Sequence, residues 1–167
     1  MTDNIEIPTI AGELLRESFP TLLGTCRYFD IGAGWRMVVS RMCVTLQALP
    51  LGSVTIREMT QKLGGLRVTM DYLGLTADQE DIARHAKVLA EERSRYRCEV
   101  CGQPGFISKP PADATAAWLY CLCHRHLPRD RRGWPLDRRE RRYLIGDVHW
   151  KYDDLLDRLR VDQTGNA

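Results

Sequence analysis

The amino-acid sequence predicts a small α+β fold, in which a β-hairpin is packed by amphipathic helices and a Cys/His-rich module follows. Three observations lead to this prediction. Apolar residues recur at helical spacing in several segments, a β-rich stretch is divided by Gly64 and Gly65, and six possible metal ligands cluster between Cys98 and His126. We divide the chain accordingly into residues 1–95, 96–127 and 128–167.

Two helices are expected before the hairpin. A short helix lies around Ala11–Ser18 and is stopped by Pro20, and a longer helix runs from Trp35 to Leu49. Gly32 and Gly34 form the turn that leads into the longer helix. The apolar residues of the longer helix share one face, as in an amphipathic helix; they are Trp35, Val38, Val39, Met42, Leu46 and Leu49.

The hairpin begins near Val54, where apolar and polar residues alternate, and continues as "LRVTMDYL" after the Gly64–Gly65 turn. The next helix begins at Thr76, which forms a capping-box pattern with Gln79. The stretch "GDVHWKYDDLLDRLRVD" then predicts a C-terminal amphipathic helix. Its apolar face comprises Val148, Tyr152, Leu155, Leu156 and Leu159.

Composition places the chain among ordinary globular proteins. Of its 167 residues, 44% are hydrophobic and 28% are charged, and the net charge is only +2. The N-terminal stretch "MTDNIEIPTI" lacks the features of a signal peptide, and no apolar run is long enough to span a membrane. We therefore expect a cytoplasmic protein without a membrane partner. In a reducing compartment, clustered cysteines indicate metal binding or catalysis more often than disulfides.

The Cys/His-rich module predicts a zinc site. Cys98 and Cys101 form a C-x-x-C pair, and a second pair of ligands downstream would complete a tetrahedron. Two C-x-x-H frames are available there, one of Cys121 with His124 and one of Cys123 with His126, and Cys121 with Cys123 is a third option. Alternation in "WLYCLC" slightly favours the later frame. Four Cys/His ligands would close the coordination sphere, so a structural Zn²⁺ is expected.

Several separated motifs together resemble one family of small uncharacterised bacterial and prophage-associated proteins. They are "GAGWRMVVSRMCVTLQAL", "MTQKLGGLRV", "RYRCEVCGQPG" and "WLYCLCHRHL". The family pattern combines a G-x-G-W helix, a K-x-G-x-L-R hairpin, C-E-x-C-G-x-P-G and W-x-x-x-x-C-x-x-H. This resemblance implies that the ligands are Cys98, Cys101, Cys123 and His126. It implies no established activity, and the family has an aromatic residue where this chain has Leu63.

The segment after the module is rich in arginine. Eight arginines lie between Arg125 and Arg142, against three acidic residues. Arginines beside aromatic rings are typical of nucleic-acid binding, because the guanidinium pairs with phosphate while the ring stacks on a base. The alternative is that these arginines pair with acidic groups of a protein, either within this chain or on a partner. The candidate contact residues are Arg129, Arg131, Arg132, Trp134, Arg138, Arg139 and Arg142.

No catalytic constellation stands out in the sequence, and neither an H-E-x-x-H nor a phosphate-loop pattern is present. We therefore expect a non-enzymatic, zinc-stabilised binding protein without a small-molecule substrate. The resemblance points to a mobile-element or phage accessory factor, of an inhibitor or immunity-like kind, that contacts a protein partner. The competing hypothesis is a nucleic-acid-binding accessory protein that uses the arginine-rich segment.

Overall fold

The computed structural model describes residues 12–111, 118–137 and 139–163. It confirms the α+β fold, with four helices and eight strands among the described residues. The helices are α1 (Gly12–Ser18), α2 (Pro20–Leu23), α3 (Arg36–Gln47) and α4 (Ala77–Ser94). The strands are β1 (Tyr28–Asp30), β2 (Val54–Lys62), β3 (Gly65–Tyr72), β4 (Phe106–Ile107), β5 (Cys121–Leu122), β6 (Arg142–Ile145), β7 (Val148–Asp153) and β8 (Arg158–Val161).

The expected hairpin is the centre of the first sheet. Strands β2 and β3 pair antiparallel, and β1 adds to β2 in parallel. Leu63 and Gly64 form the tight turn between β2 and β3, with φ of 53° and 75°, so the turn lies one residue earlier than the expected Gly64–Gly65 pair and Gly65 begins β3. Glycine adopts a positive φ without strain, whereas the same conformation costs energy for a residue with a side chain, such as Leu63. Gly64 is therefore the residue that favours the turn.

The other helices around this sheet match the prediction, but α2 begins at Pro20, where the sequence predicts only the end of the first helix. Helix α3 follows a 3₁₀ turn over Ala33–Trp35, and α3 and α4 pack against each other while α4 covers β3. Thr76 caps α4 as expected, since its backbone N–H donates to the Gln79 side chain and its hydroxyl accepts from the Gln79 N–H. Ala11 of the expected first helix lies outside the described residues. None of the described helices is both long enough and apolar enough to cross a membrane.

The predicted C-terminal helix is wrong. Residues 142–161 form an antiparallel sheet in the order β6, β7, β8, in which Tyr143 faces Trp150 and Tyr152 faces Leu159. Leu155, which fitted the helical face, is 92% exposed at the tip of the turn between β7 and β8. Cross-strand pairing of aromatic and aliphatic side chains in these two consecutive hairpins overrides the helical spacing here.

The C-terminal sheet is attached to α4 by polar contacts. The Arg93 guanidinium donates to the Asp157 carboxylate over 2.7 Å, and the Tyr143 hydroxyl donates to the Glu92 carboxylate. The rings of His85 and Trp150 meet edge to face, with centroids 5.2 Å apart. Helix α4 therefore has one face on the sheet of β1, β2 and β3, which we call the main sheet, and another face on the C-terminal sheet.

Candidate metal centre

A tight turn presents the first pair of ligands. The N–H of Gly102 donates to the Cys98 carbonyl over 2.8 Å, and the N–H of Cys98 donates to the Gln103 carbonyl over 2.8 Å. Gly102 has a φ of 74°, a conformation that glycine adopts without strain. We call residues 98–102 the knuckle. It places the thiols of Cys98 and Cys101 on the same side of the turn.

The second pair of ligands follows the short strand β5, which pairs with β4. Cys123 comes directly after this strand, and its carbonyl accepts from the N–H groups of His126 and Leu127 over 3.0 and 2.9 Å. This turn folds the imidazole of His126 back toward the thiol of Cys123. The later C-x-x-H frame is therefore the one that the backbone aims at the knuckle.

The four side chains converge on one point. The ligand atoms of Cys98, Cys101, Cys123 and His126 all lie within 4.8 Å of one another. His126 Nδ1 is 3.5 Å from Cys98 Sγ and 3.4 Å from Cys123 Sγ, and the thiols of Cys101 and Cys123 are 3.8 Å apart. Such a group could hold a metal ion.

The environment of the cluster is apolar on its inner side. Cys98 is fully buried, whereas Cys101 is exposed at the surface. Burial raises the pKa of the Cys98 thiol to about 11, so that thiol keeps its proton unless a cation displaces it. Metal binding at this cluster would therefore release protons.

The other two candidate ligands point elsewhere. The thiol of Cys121 is buried and donates to the Arg95 carbonyl over 3.1 Å. Burial, together with the charge of Glu99, raises the pKa of Cys121 well above its ordinary range, which keeps it a neutral thiol. The ring of His124 packs on Phe106, with centroids 4.9 Å apart. Cys121 is thus a core residue and His124 a surface packing residue.

The G-x-G-W motif docks the knuckle onto the main domain. The Gly34 N–H donates to the Glu99 carbonyl, and the Trp35 indole N–H donates to the Arg97 carbonyl, each over 2.8 Å. Trp35 is completely buried. The sequence suggested only a turn at Gly32 and Gly34. The proximity of this motif to the knuckle was missed, because the two are more than sixty residues apart.

Glu99 makes a second connection between the module and the main sheet. Its carboxylate accepts from the Cys121 N–H over 2.9 Å and from the Gln61 side chain over 3.3 Å. Gln61 also donates to the Leu119 carbonyl and accepts from the Trp118 indole. Burial raises the pKa of Glu99 to about 7, although these hydrogen bonds act in the opposite direction. Sequence reasoning did not identify this residue.

Part of the arginine-rich segment is paired within the chain. Arg139 forms a two-pronged contact with Asp137, and Arg142 lies 2.9 Å from the Asp162 carboxylate. Arg129 and Arg132 are exposed, and Arg138 lies outside the described residues. These contacts match the alternative of intramolecular pairing for two of the seven candidate contact residues.

Arg131 is held between two rings. Its guanidinium lies 5.1 Å from the ring centres of both Tyr120 and Trp134, and it donates to the Trp118 carbonyl over 2.9 Å. The Trp118 side chain is 60% exposed. We call these four residues the Trp118 surface.

Comparison with known proteins assigns neither a family nor a function to this chain. No family model matches this chain, and neither a curated protein nor a solved structure matches it. The geometry of the cluster and of the neighbouring surfaces therefore carries the functional argument.

Proposed function

We propose that this protein is a non-enzymatic binding protein whose second half is organised by a structural Zn²⁺ and which acts by contact with another protein. The observation that carries the proposal is the convergence of three thiols and one imidazole within 4.8 Å. A tetrahedral Zn²⁺, with bonds of about 2.3 Å to sulfur and about 2.1 Å to nitrogen, has S–S edges of about 3.8 Å and S–N edges of about 3.6 Å. Three of the six separations between ligand atoms, 3.8, 3.5 and 3.4 Å, are close to these edges, and the other three lie within 4.8 Å, which supports zinc.

A structural role follows from the number and type of ligands. Four protein ligands fill a tetrahedral sphere, and a catalytic zinc needs one position for water or substrate. The backbone carbonyls of Arg97 and Glu99 accept hydrogen bonds from the Trp35 indole and the Gly34 N–H. The Glu99 carboxylate also accepts from Gln61 of β2. The ion would thus stabilise the packing between the module and the main sheet.

Replacement of Zn²⁺ by Co²⁺ tests whether four protein ligands fill the coordination sphere. Co²⁺ bound by three thiolates and one imidazole should give the absorption of a tetrahedral sulfur-rich site, and an added anion such as azide should not change it. A spectrum that shifts with azide would reveal an open position and would contradict the structural role.

The Trp118 surface supports a protein partner. Tryptophan, tyrosine and arginine dominate the binding energy of protein interfaces, and Trp118 is exposed while Arg131 is held in place by two rings. The resemblance to prophage-associated proteins motivates an accessory role in which this chain acts as an inhibitor or immunity-like factor on its protein partner. Affinity capture from the native host with the wild-type chain and a Trp118→Ala variant tests this. A specific protein lost with the variant is expected, and equal capture by both would argue against this surface.

Nucleic acid is the second candidate ligand, because Arg129 and Arg132 flank the ring-bound Arg131 on the same segment. Labelled single-stranded DNA and RNA should be titrated at increasing salt with the wild type and with an Arg129→Ala/Arg132→Ala variant. Binding that falls steeply with salt and is lost in the variant would favour this candidate. No binding at low salt would remove it.

A further inference from the structure

A cleft separate from the Trp118 surface opens beside the knuckle. It has a volume of about 700 Å³ and lies between the first turns of α3, the knuckle and the turn that carries Asp157. Cys101 and Gly102 form part of its wall, so the ligand turn shapes it directly. No residue of the Trp118 surface lines it.

Positive charge dominates the lining of this cleft. Arg36, Arg41, Arg93 and Arg97 line it, and Asp157 is the single acidic residue among the lining residues. Arg36 is exposed and forms no ion pair within the described part of the chain. The cleft therefore has more guanidinium groups than its own carboxylate can neutralise.

The Asp157 carboxylate already accepts hydrogen bonds from neighbouring side chains. Its carboxylate accepts from Arg93 over 2.7 Å and from the Tyr152 hydroxyl over 2.6 Å, and Arg41 approaches it only to 3.7 Å. Burial opposes ionisation, but the hydrogen bonds from Tyr152 and Arg93 and the nearby charge of Arg97 lower the pKa of Asp157. It consequently stays ionised, and Arg41 pairs with its other oxygen, Oδ2, only over 3.7 Å. The Arg41 side chain is 61% exposed and Arg36 has no ion pair in the described part of the chain, so both guanidinium groups can reach a ligand.

Apolar side chains accompany these arginines. Leu14 and Met37 are 56% and 58% exposed, and Val38 and Val100 also line the cleft. No aromatic ring is present among the residues that line it within the described chain, so bases have no surface on which to stack. A mixture of guanidinium and aliphatic groups complements a peptide that alternates acidic and apolar side chains.

We propose that this cleft binds an acidic, partly apolar peptide segment of the partner protein, with its carboxylates on Arg36 and Arg41 and its apolar side chains against Met37 and Leu14. This inference rests on the proposed protein-binding function and names the chemistry of the ligand. Guanidinium pairs carboxylate through two parallel hydrogen bonds, which gives orientation as well as attraction.

The direct test is fluorescence polarisation with the zinc-loaded full chain. The probe is a short labelled peptide of alternating glutamate and leucine, and its matched control has glutamine in place of glutamate. We expect saturable binding of the acidic probe only, weakened by about tenfold or more in an Arg36→Glu/Arg41→Glu variant. An Arg27→Glu/Arg67→Glu variant carries the same charge change on exposed residues that do not line the cleft, and it should bind as the wild type does.

Other results would overturn the inference. They are absence of binding, equal binding of the glutamine probe, or equal binding by the Arg36→Glu/Arg41→Glu variant. Binding of a labelled oligo-dT that competes with the peptide would assign the cleft to nucleic acid instead. If the Arg36→Glu/Arg41→Glu variant loses its metal or does not fold, the Arg36→Gln/Arg41→Gln variant replaces it in the experiment. Neither the capture experiment on the Trp118 surface nor the cobalt spectrum involves these arginines, so failure here is distinguishable from failure of the proposed function.

Discussion

The position that a Cβ of Gly34 would occupy lies 2.1 Å from the carbonyl oxygen of Cys98. The same position is 2.5 Å from the backbone nitrogen of Gly102. Backbone atoms of the knuckle therefore fill the space that any side chain at residue 34 would need. The turn before α3 and the turn that carries Cys98 and Cys101 are in direct backbone contact, which makes the Cys/His-rich module part of the main fold.

Gly34→Ala should therefore separate these two turns. The added methyl meets backbone atoms that cannot rotate away, so we expect a loss of about 2–4 kcal/mol in the free energy of unfolding and weaker metal retention. Denaturant unfolding and metal competition with a chromogenic chelator measure the two effects. Wild-type values for both would contradict the packing described here.

Gly52→Ala is the matched control for this substitution. An added methyl at Gly52 contacts nothing, but the residue has a φ of 77°. Only the backbone strain of an alanine in this conformation is then measured, which we expect to be about 1 kcal/mol without any change in metal affinity.

Substitution of single cysteines separates the two ligand frames. Cys123→Ser should abolish metal binding and destabilise the module, because it removes a ligand from the cluster. Cys121→Ser should retain the metal, since that thiol contacts the Arg95 carbonyl instead. Elemental analysis of both purified variants decides the matter, and the reverse pattern would assign the earlier frame.

The contacts of Glu99 predict a difference between two substitutions. Glu99→Ala leaves the buried Cys121 N–H without its acceptor, which should lower the free energy of unfolding by about 2–3 kcal/mol. Glu99→Gln keeps an acceptor oxygen of the same reach and should cost less than half as much. Chemical denaturation of the zinc-loaded variants measures both. Equal losses would show that the acceptor at this position is unimportant.

The contacts of the Asp137 carboxylate predict that the free energy of unfolding depends on pH. Its buried carboxylate contacts Lys109, Arg139 and Arg95 at 3.0, 2.8 and 3.3 Å. Burial alone would raise the pKa of Asp137, but hydrogen bonds from Arg139 and Lys109 hold it well below its ordinary value of 3.8. The ionised form therefore stabilises the fold fully above pH 3.8, and this contribution is lost as the pH falls below that value.

Asp137→Asn isolates this contribution. At neutral pH we expect the variant to lose about 3 kcal/mol, because the buried Arg95 then loses its nearer carboxylate partner and keeps Glu92 at 4.0 Å. Acid would also displace a metal ion held by the Cys/His cluster from both proteins, so the quantity to follow is the difference in their free energies of unfolding. That difference should shrink below about pH 4. The exposed Asp154→Asn is the control, and a difference independent of pH would refute the ion cluster.

The local elements were predictable from the sequence because their signals are contained within a few residues. Thr76 and Gln79 specify the start of α4 by adjacent hydrogen-bonding groups, and Gly64 supplies the positive φ of the hairpin turn. The C-terminal sheet was not predictable in the same way. Its strands depend on pairing between Tyr143 and Trp150 across a turn, whereas the apolar spacing of the same residues also fits a helix.

The candidate metal centre was predictable in part. Its ligand types and the C-x-x-C spacing indicate a metal, and the choice of Cys123 and His126 came from the resemblance. The hydrogen bonds that position the centre could not be read from the sequence. Trp35 reaches the Arg97 carbonyl, and Gln61 reaches Glu99, only after the chain has folded over separations of 62 and 38 residues.

Metal analysis with chelation tests the central claim most directly. Structural zinc sites supply about 10–16 kcal/mol in zinc-finger peptides at neutral pH, which is comparable with the whole stability of an ordinary domain. Plasma mass spectrometry of the purified chain, followed by circular dichroism under a strong chelator, should find one Zn²⁺ at the Cys98, Cys101, Cys123 and His126 cluster and a loss of ordered structure when it is removed. A metal-free chain that keeps the same cooperative unfolding with chelator present would contradict the account.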